Sequence, residues 1–297
     1  MSAPTRRGVH QRLATLSPGK APPFVARRTL RLRVEFVRQF SRRRTQFAAL
    51  ILLMLPILIA IAFKVGGNPR AGDRGPGLVD LATIGGMNFA LFTEFASVGF
   101  LLVVVVALFC GDTVASEANW SSLRYLLSLP VPRARLLRQK LVVALALSFG
   151  ANLLLPAWAF VVGGLFFGWA PAHSPLGGTF GGTVALGRLA IVVLYACGQS
   201  LVVAGLAFLL SVSVDNPLGA VGGATMLIVV SNILDQITAL DPYRRFLPTH
   251  FQFSWLDALG STVGWDNMLR GTGLALVYAA AFFAIAWLRF DRKDITS

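Results

Sequence analysis

The sequence predicts an all-α, polytopic membrane protein, on three observations. Apolar residues make up 55% of the 297 and charged residues only 13%, with a mean hydropathy of +0.68. Several uncharged runs reach the roughly 20 residues that cross a ~30 Å hydrocarbon core. The runs are also too long and continuous for the alternating strands of a barrel. A backbone in lipid must satisfy its own hydrogen bonds, so each run is expected to be a helix.

The runs predict six spans: Phe47–Phe63, Phe89–Cys110, Leu141–Trp169, Val184–Val214, Leu218–Leu234 and Thr272–Leu288. An even number puts both termini on one side, and the basic residues choose the side. The leader carries twelve Lys and Arg, the 111–140 loop five and the tail from Arg289 three, against six in the three opposite loops. By the positive-inside rule both termini are cytoplasmic. The remaining one, Arg188, sits just inside the outer end of the fourth span, where its long stem reaches headgroups. No cleavable signal peptide is expected, because the first apolar run starts only at Phe47.

Residues 1–23 hold prolines and arginines with too little apolar content to fold alone and are expected to be a disordered basic leader; residues 24–297 are expected to form the transmembrane domain. From Phe24 to Arg44, steps of 100° place Leu30, Val34, Phe36, Val37 and Phe40 on one arc and Arg27, Arg28, Arg31, Arg38 and Arg42 on another. Such a helix lies along the cytoplasmic leaflet, each basic residue contributing roughly 1 kcal/mol at an anionic surface. The net charge of +14 therefore points to anionic lipid headgroups, not nucleic acid. Cys110 and Cys197 fall in apolar runs and read as small hydrophobes, with no disulfide and no metal site.

Within the spans, Pro56 and Pro156 mark kinks, and Asp215-Asn216-Pro217 makes a tight turn. Gly164-x-x-x-Gly168 and Gly219-x-x-x-Gly223 allow close backbone approach. Aromatics crowd the outer segment Thr238–Arg270, which reads either as an interfacial anchoring belt or as short helices that form an outer gate or re-entrant hairpin.

No catalytic constellation emerges. Gly19-Lys20 is the nearest approach to a phosphate-binding loop, but positions 14 and 21 are both Ala. His10, His173 and His250 lie outside the spans, so Gly198-Gln199-Ser200 has no base at its depth. Glu94 is an acid well inside a span: either it contacts a cation, proton or substrate, or it is a rim carboxylate paired with Arg188 or bonded to Thr93 and Ser97. Asn152, Gln199 and Asn232 are isolated polar groups that either bridge helices or line a path.

Between the second and third spans, residues 111–140 form a basic, proline-punctuated amphipathic loop. Glu117, Ser121-Ser122-Leu123-Arg124, Leu126-Leu127, Pro130, Arg133 and Lys140 run in that order. With the leader helix, Leu247-Pro248-Thr249-His250, Trp255-Leu256-Asp257 and the closing Phe290-Asp291-Arg292-Lys293-Asp294-Ile295, this loop makes residues 25–297 resemble the permease subunits of ABC-2 type transporters, chiefly bacterial exporters. The resemblance implies ATP-driven export across a bacterial cytoplasmic membrane. The chain itself would have no catalytic residues and no cofactor, with ATP and Mg in a separate ATP-binding subunit and a second permease copy completing the path. It further implies a coupling helix near Val131–Gln139. There Leu136 and Leu137 would fill a partner's groove while Arg133, Arg135 and Arg138 meet acidic rims; Glu117, Arg124 and Pro130 complete the expected docking set. A non-transporting scaffold or signalling subunit, and an intramembrane enzyme acting on lipid-linked substrates, are the competing expectations.

Overall fold

The computed structural model describes residues 32–66, 77–119 and 133–292. The basic leader, the 67–76 loop, the 120–132 part of the hinge with Arg124 and Pro130, and the tail from Lys293 lie outside the described residues. The described chain is mostly helical, and its apolar helices are those of a multi-pass membrane protein.

Helix α1 is Leu32–Phe40, followed by α2 (Arg43–Gly66), the short α3 (Leu78–Leu81), α4 (Gly86–Val98), α5 (Leu101–Asn119) and α6 (Arg133–Phe167). A two-residue antiparallel pair, β1 (Ala172–His173) with β2 (Thr179–Phe180), turns through Gly177 and Gly178, both at φ +96. Then come α7 (Gly182–Ser213) and α8 (Pro217–Asp235), three 3-10 turns at Thr238–Leu240, Tyr243–Phe246 and Ser254–Leu259, and α9 (Asp266–Asp291). Five helices, α2, α6, α7, α8 and α9, are long and apolar enough to cross a membrane, and α4 with α5 makes a sixth if counted as one span.

That pair of helices corrects the expected continuous helix over Phe89–Cys110. The two are bent by 59° at Gly99-Phe100. A break at this depth strips carbonyls of their helical partners, and in lipid each must be met from within the protein. Gln252 donates from Nε2 to the Val98 carbonyl at 2.6 Å, and Asn232 from Nδ2 to the Gly99 carbonyl at 3.4 Å.

The 111–140 loop is also shorter than expected. Helix α5 runs on to Asn119 and α6 starts at Arg133, so Arg133–Gln139 is the first part of a 35-residue helix and not a separate coupling helix. At ~1.5 Å per residue α6 is about 52 Å long and protrudes from any apolar core. Pro156 lies within it without ending it. As expected from Asp215-Asn216-Pro217, Asn216 caps α8 by accepting from the Leu218 amide at 3.0 Å, with proline at the first turn.

Three apolar clusters hold the bundle. One joins α5, α6, α7, α8 and α9 around Val106, Phe208 and Ile228; another joins α4, α6 and α7 with Trp255 and Leu259; the third seats α2 on α5 and α6 through Leu52, Leu102 and Leu155. Where α4 meets α6 the backbones nearly touch. A Cβ at Gly86 would stand 2.7 Å from the Phe160 carbonyl oxygen, and one at Gly163 would stand 2.6 Å from Phe89. Gly164, as expected, is a point of close approach together with Gly86 and Gly163, a Cβ there standing 2.3 Å from Trp169, whereas Gly219 is looser and Gly168 ends α6 at φ +87.

Trp255 is wholly buried, with Ala258 and Leu259 beside it, so the aromatic segment is not simply an anchoring belt. It folds back as a cap over the helix ends. Arg188 donates to the carbonyls of Ala258 and Ser261, Tyr195 Oη to that of Phe251 at 2.6 Å, and Ser231 meets Thr249 at 2.8 Å. Tyr243, Phe246 and Trp265 remain exposed, as interfacial aromatics would be.

Candidate functional site

At the end of the bundle opposite the cap, charged side chains converge on the mouth of the 120–132 connection. Asp112, Ser116 and Glu117 recur at helical spacing along the last turns of α5, and all three are buried. Lys140, two turns into α6, reaches Glu117 Oε1 at 2.5 Å and Glu35 Oε1 at 3.5 Å. Arg38 also bonds Glu117 and lies 3.6 Å from Glu35. Arg42 Nη1 is 2.7 Å from Asp112 Oδ2 and donates to Ser116 at 3.4 Å, and Arg44 takes the other Asp112 oxygen. Gln39 donates to Glu35 at 3.1 Å, and Thr45 donates to the Gln39 carbonyl at 2.8 Å, fixing the corner into α2.

This network turns α1 inside out relative to a helix in water. Val34 is 63% exposed while Glu35 is 8% exposed, and Phe36 stacks with Phe40 on the outside, ring centres 6.3 Å apart. An apolar face outward and a charged face inward suits a helix lying where lipid covers one side. The expectation that Arg38 and Arg42 face headgroups is thus corrected: both pair with carboxylates of α5. Burial pushes the Glu35 carboxyl upward, but Lys140, Arg38, the Gln39 amide and Arg42 outweigh it and hold the group below its ordinary value.

The expected docking residues divide. Glu117 belongs to this lock. Leu136 and Leu137 are buried, Leu137 in the core against α7 and α9, so they have no surface for a partner's groove. Arg138 is exposed and Arg135 half-buried. Helical rotation explains the split: residues 136, 137 and 140 face the bundle and 135 and 138 face away.

The expected path residues gather elsewhere, near the α4–α5 break. Asn152, Gln199, Ser200, Thr249 and Gln252 line a chamber of about 30 Å³ with Val98 and other apolar groups. Asn152 also donates to its own helix at the Ser148 carbonyl, 2.9 Å away. Asn232 stands at the break, and Glu94 is buried one turn before it. The suggested pairing of Glu94 with Arg188 is not made, because Arg188 is committed to the cap, and Thr93 donates to the Phe89 carbonyl instead. Gln252 escaped sequence reasoning: nothing in a loop glutamine's neighbours announces a broken helix 154 positions earlier. Among the described residues no cluster of His, Cys, Asp and Glu is arranged to hold a metal ion.

Against the curated proteins the chain has no match. A family model described as "Protein of unknown function (DUF2705)" matches residues 78–296, from α3 through α9, and the chain belongs to that family.

Proposed function

We propose that the protein is the permease subunit of an ATP-driven export system of the ABC-2 type, resident in a bacterial cytoplasmic membrane. The charge-lock end faces the cytoplasm, with both termini there, and the cap faces outward. A separate ATP-binding subunit supplies ATP and Mg, this chain carries no catalytic residue, and a second permease copy completes the path. Anionic lipids flank α1.

One observation carries the reading. The 120–132 connection is gripped on both sides by rigid helices, and a buried ion network ties those helices to α1. Force that reaches the tied ends of α5 and α6 moves the two helices together, and the α4–α5 break gives that motion a pivot. Arg135 and Arg138 offer accessible cations on the same side, suited to steering an acidic partner.

A photo-crosslinking amino acid at Arg138, irradiated in native membranes and analysed by mass spectrometry, tests this. The expected adduct is a polypeptide bearing nucleotide-binding motifs, and it disappears when the crosslinker is moved to buried Leu137. Adducts confined to lipid, or labelling of Arg138 only from the external side in intact cells, overturn the proposal.

A further inference from the structure

Polar atoms in a protein interior normally find partners, because an unmet donor or acceptor keeps its full desolvation penalty. Around the α4–α5 break that rule fails repeatedly. Glu94 is 0% exposed, and neither of its carboxylate oxygens has a hydrogen-bond partner among the described residues. The same holds for Ser97 Oγ one turn further on, and for Gln199 Nε2 and Gln252 Oε1 on the chamber wall.

Among the described residues no cation is paired with the acid. On α7, Arg188 is turned to the Ala258 and Ser261 carbonyls and the Phe180 ring. Cys197, further along that helix, is a free thiol and offers no positive charge. Helix α6 contributes neutral Asn152 to this region, its basic residues lying at the far end in or near the lock. From the cap come neutral Gln252 and Trp255, the latter packed on Phe95 with ring centres 6.4 Å apart. A bare carboxylate so placed is among the most costly groups a membrane protein can bury, whereas a neutral acid is tolerable.

We propose that Glu94 is a proton-binding site, holding its carboxyl as the neutral acid in this arrangement and exchanging the proton through the chamber that begins one helical turn away. One water needs about 10–15 Å³ and several polar neighbours; the chamber has about 30 Å³ with Asn152, Gln199, Ser200, Thr249 and Gln252 on its walls. On release the O–H bond breaks, the proton passes to a water there, and the carboxylate keeps the electron pair. The inference stands on the geometry of the break and not on the export reading.

Dicyclohexylcarbodiimide, an apolar reagent selective for protonated carboxyls in water-poor sites, tests it on the full chain in liposomes. An adduct on the Glu94 peptide is expected, fading as pH rises and lost in Glu94→Gln. Because glutamine is isosteric with the neutral acid, Glu94→Gln should also unfold at the wild-type temperature. Three results overturn the proposal: no Glu94 adduct at any pH while a water-soluble carbodiimide modifies surface acids; protection of Glu94 by sodium, which would assign the site to a metal cation; or a marked fall in the unfolding temperature of Glu94→Gln, which would mean a charged, partnered carboxylate had been lost.

Discussion

Lys140 Nζ lies 2.5 Å from Glu117 Oε1, and each side chain is only 3% exposed, so a complete ion pair is buried between the last turns of α5 and the first turns of α6. Removing one member of such a pair leaves the other stranded, at about 3–5 kcal/mol. Lys140→Met should lower the unfolding temperature in detergent, with a loss toward the low end of that range because Arg38 still reaches Glu117. The double variant Lys140→Met/Glu117→Gln should recover much of it. Additive losses in that cycle would contradict a coupled pair.

Acid should loosen α1. A carboxyl whose folded value lies below its ordinary 4.5 contributes stability that is present above that value and lost as pH falls through the folded one. The acid limb of the stability curve is therefore expected below about pH 4.5, and Glu35→Gln should flatten it while leaving the neutral-pH shape alone. Intrinsic fluorescence unfolding at a series of pH values reads this out.

The amide of Gln252 meets a carbonyl that the break would otherwise leave bare. Gln252→Leu removes the donor at nearly the same volume, and the unpaired carbonyl should destabilise the protein by about 1–3 kcal/mol. Hydrogen exchange should quicken at the amides flanking Gly99 more than within α5. An equal quickening throughout α5 would count against the assignment.

Two glycines give opposite outcomes for one substitution. Gly86→Ala drives a methyl to within 2.7 Å of the Phe160 carbonyl oxygen, so α4 and α6 must part, at about 1–3 kcal/mol. Gly150→Ala meets nothing within 4 Å in mid-helix and should stabilise by roughly 0.5–1 kcal/mol through helix propensity. Thermal melts of the two variants, run together, check the contrast.

Helix α1 should touch acyl chains with its apolar side alone. A fluorophore at Phe36 or Phe40 is expected to be quenched by brominated lipid, and one at buried Gln39 to be spared. Equal quenching at all three sites would mean that α1 is not docked as described.

The sequence disclosed what composition and periodicity carry. Five of the expected spans correspond to single long helices, since an uninterrupted apolar run leaves lipid-spanning backbone no alternative. Asn216-Pro217 was equally readable, because its signal is local; of the leader's two-faced pattern only the outward apolar side of Val34, Phe36, Val37 and Phe40 held, while Arg38 and Arg42 turned inward. The break at Gly99 was not: Ser97-Val98-Gly99-Phe100 contains no proline, and its stabilising partners, Asn232 and Gln252, are remote. The lock was half readable. Arg38, Arg42, Glu117 and Lys140 stood out as charges, but their pairing depends on how far α5 and α6 extend past the apolar runs. Leu136 and Leu137 had looked like a partner's anchors for the same reason: a short coupling helix and the first turns of a long one share an alphabet and differ only in rotation.

The hydrogen bond from Gln252 to Val98 also bears on biosynthesis. A ribosome must add 154 residues before the amide that meets the bared Val98 carbonyl exists, and Asn232 comes 133 residues after Gly99. Until then the nascent α4–α5 segment has either to stay unbent or to keep water at its elbow, so its final shape is set late, by the C-terminal half arriving as a tailor to a seam left open.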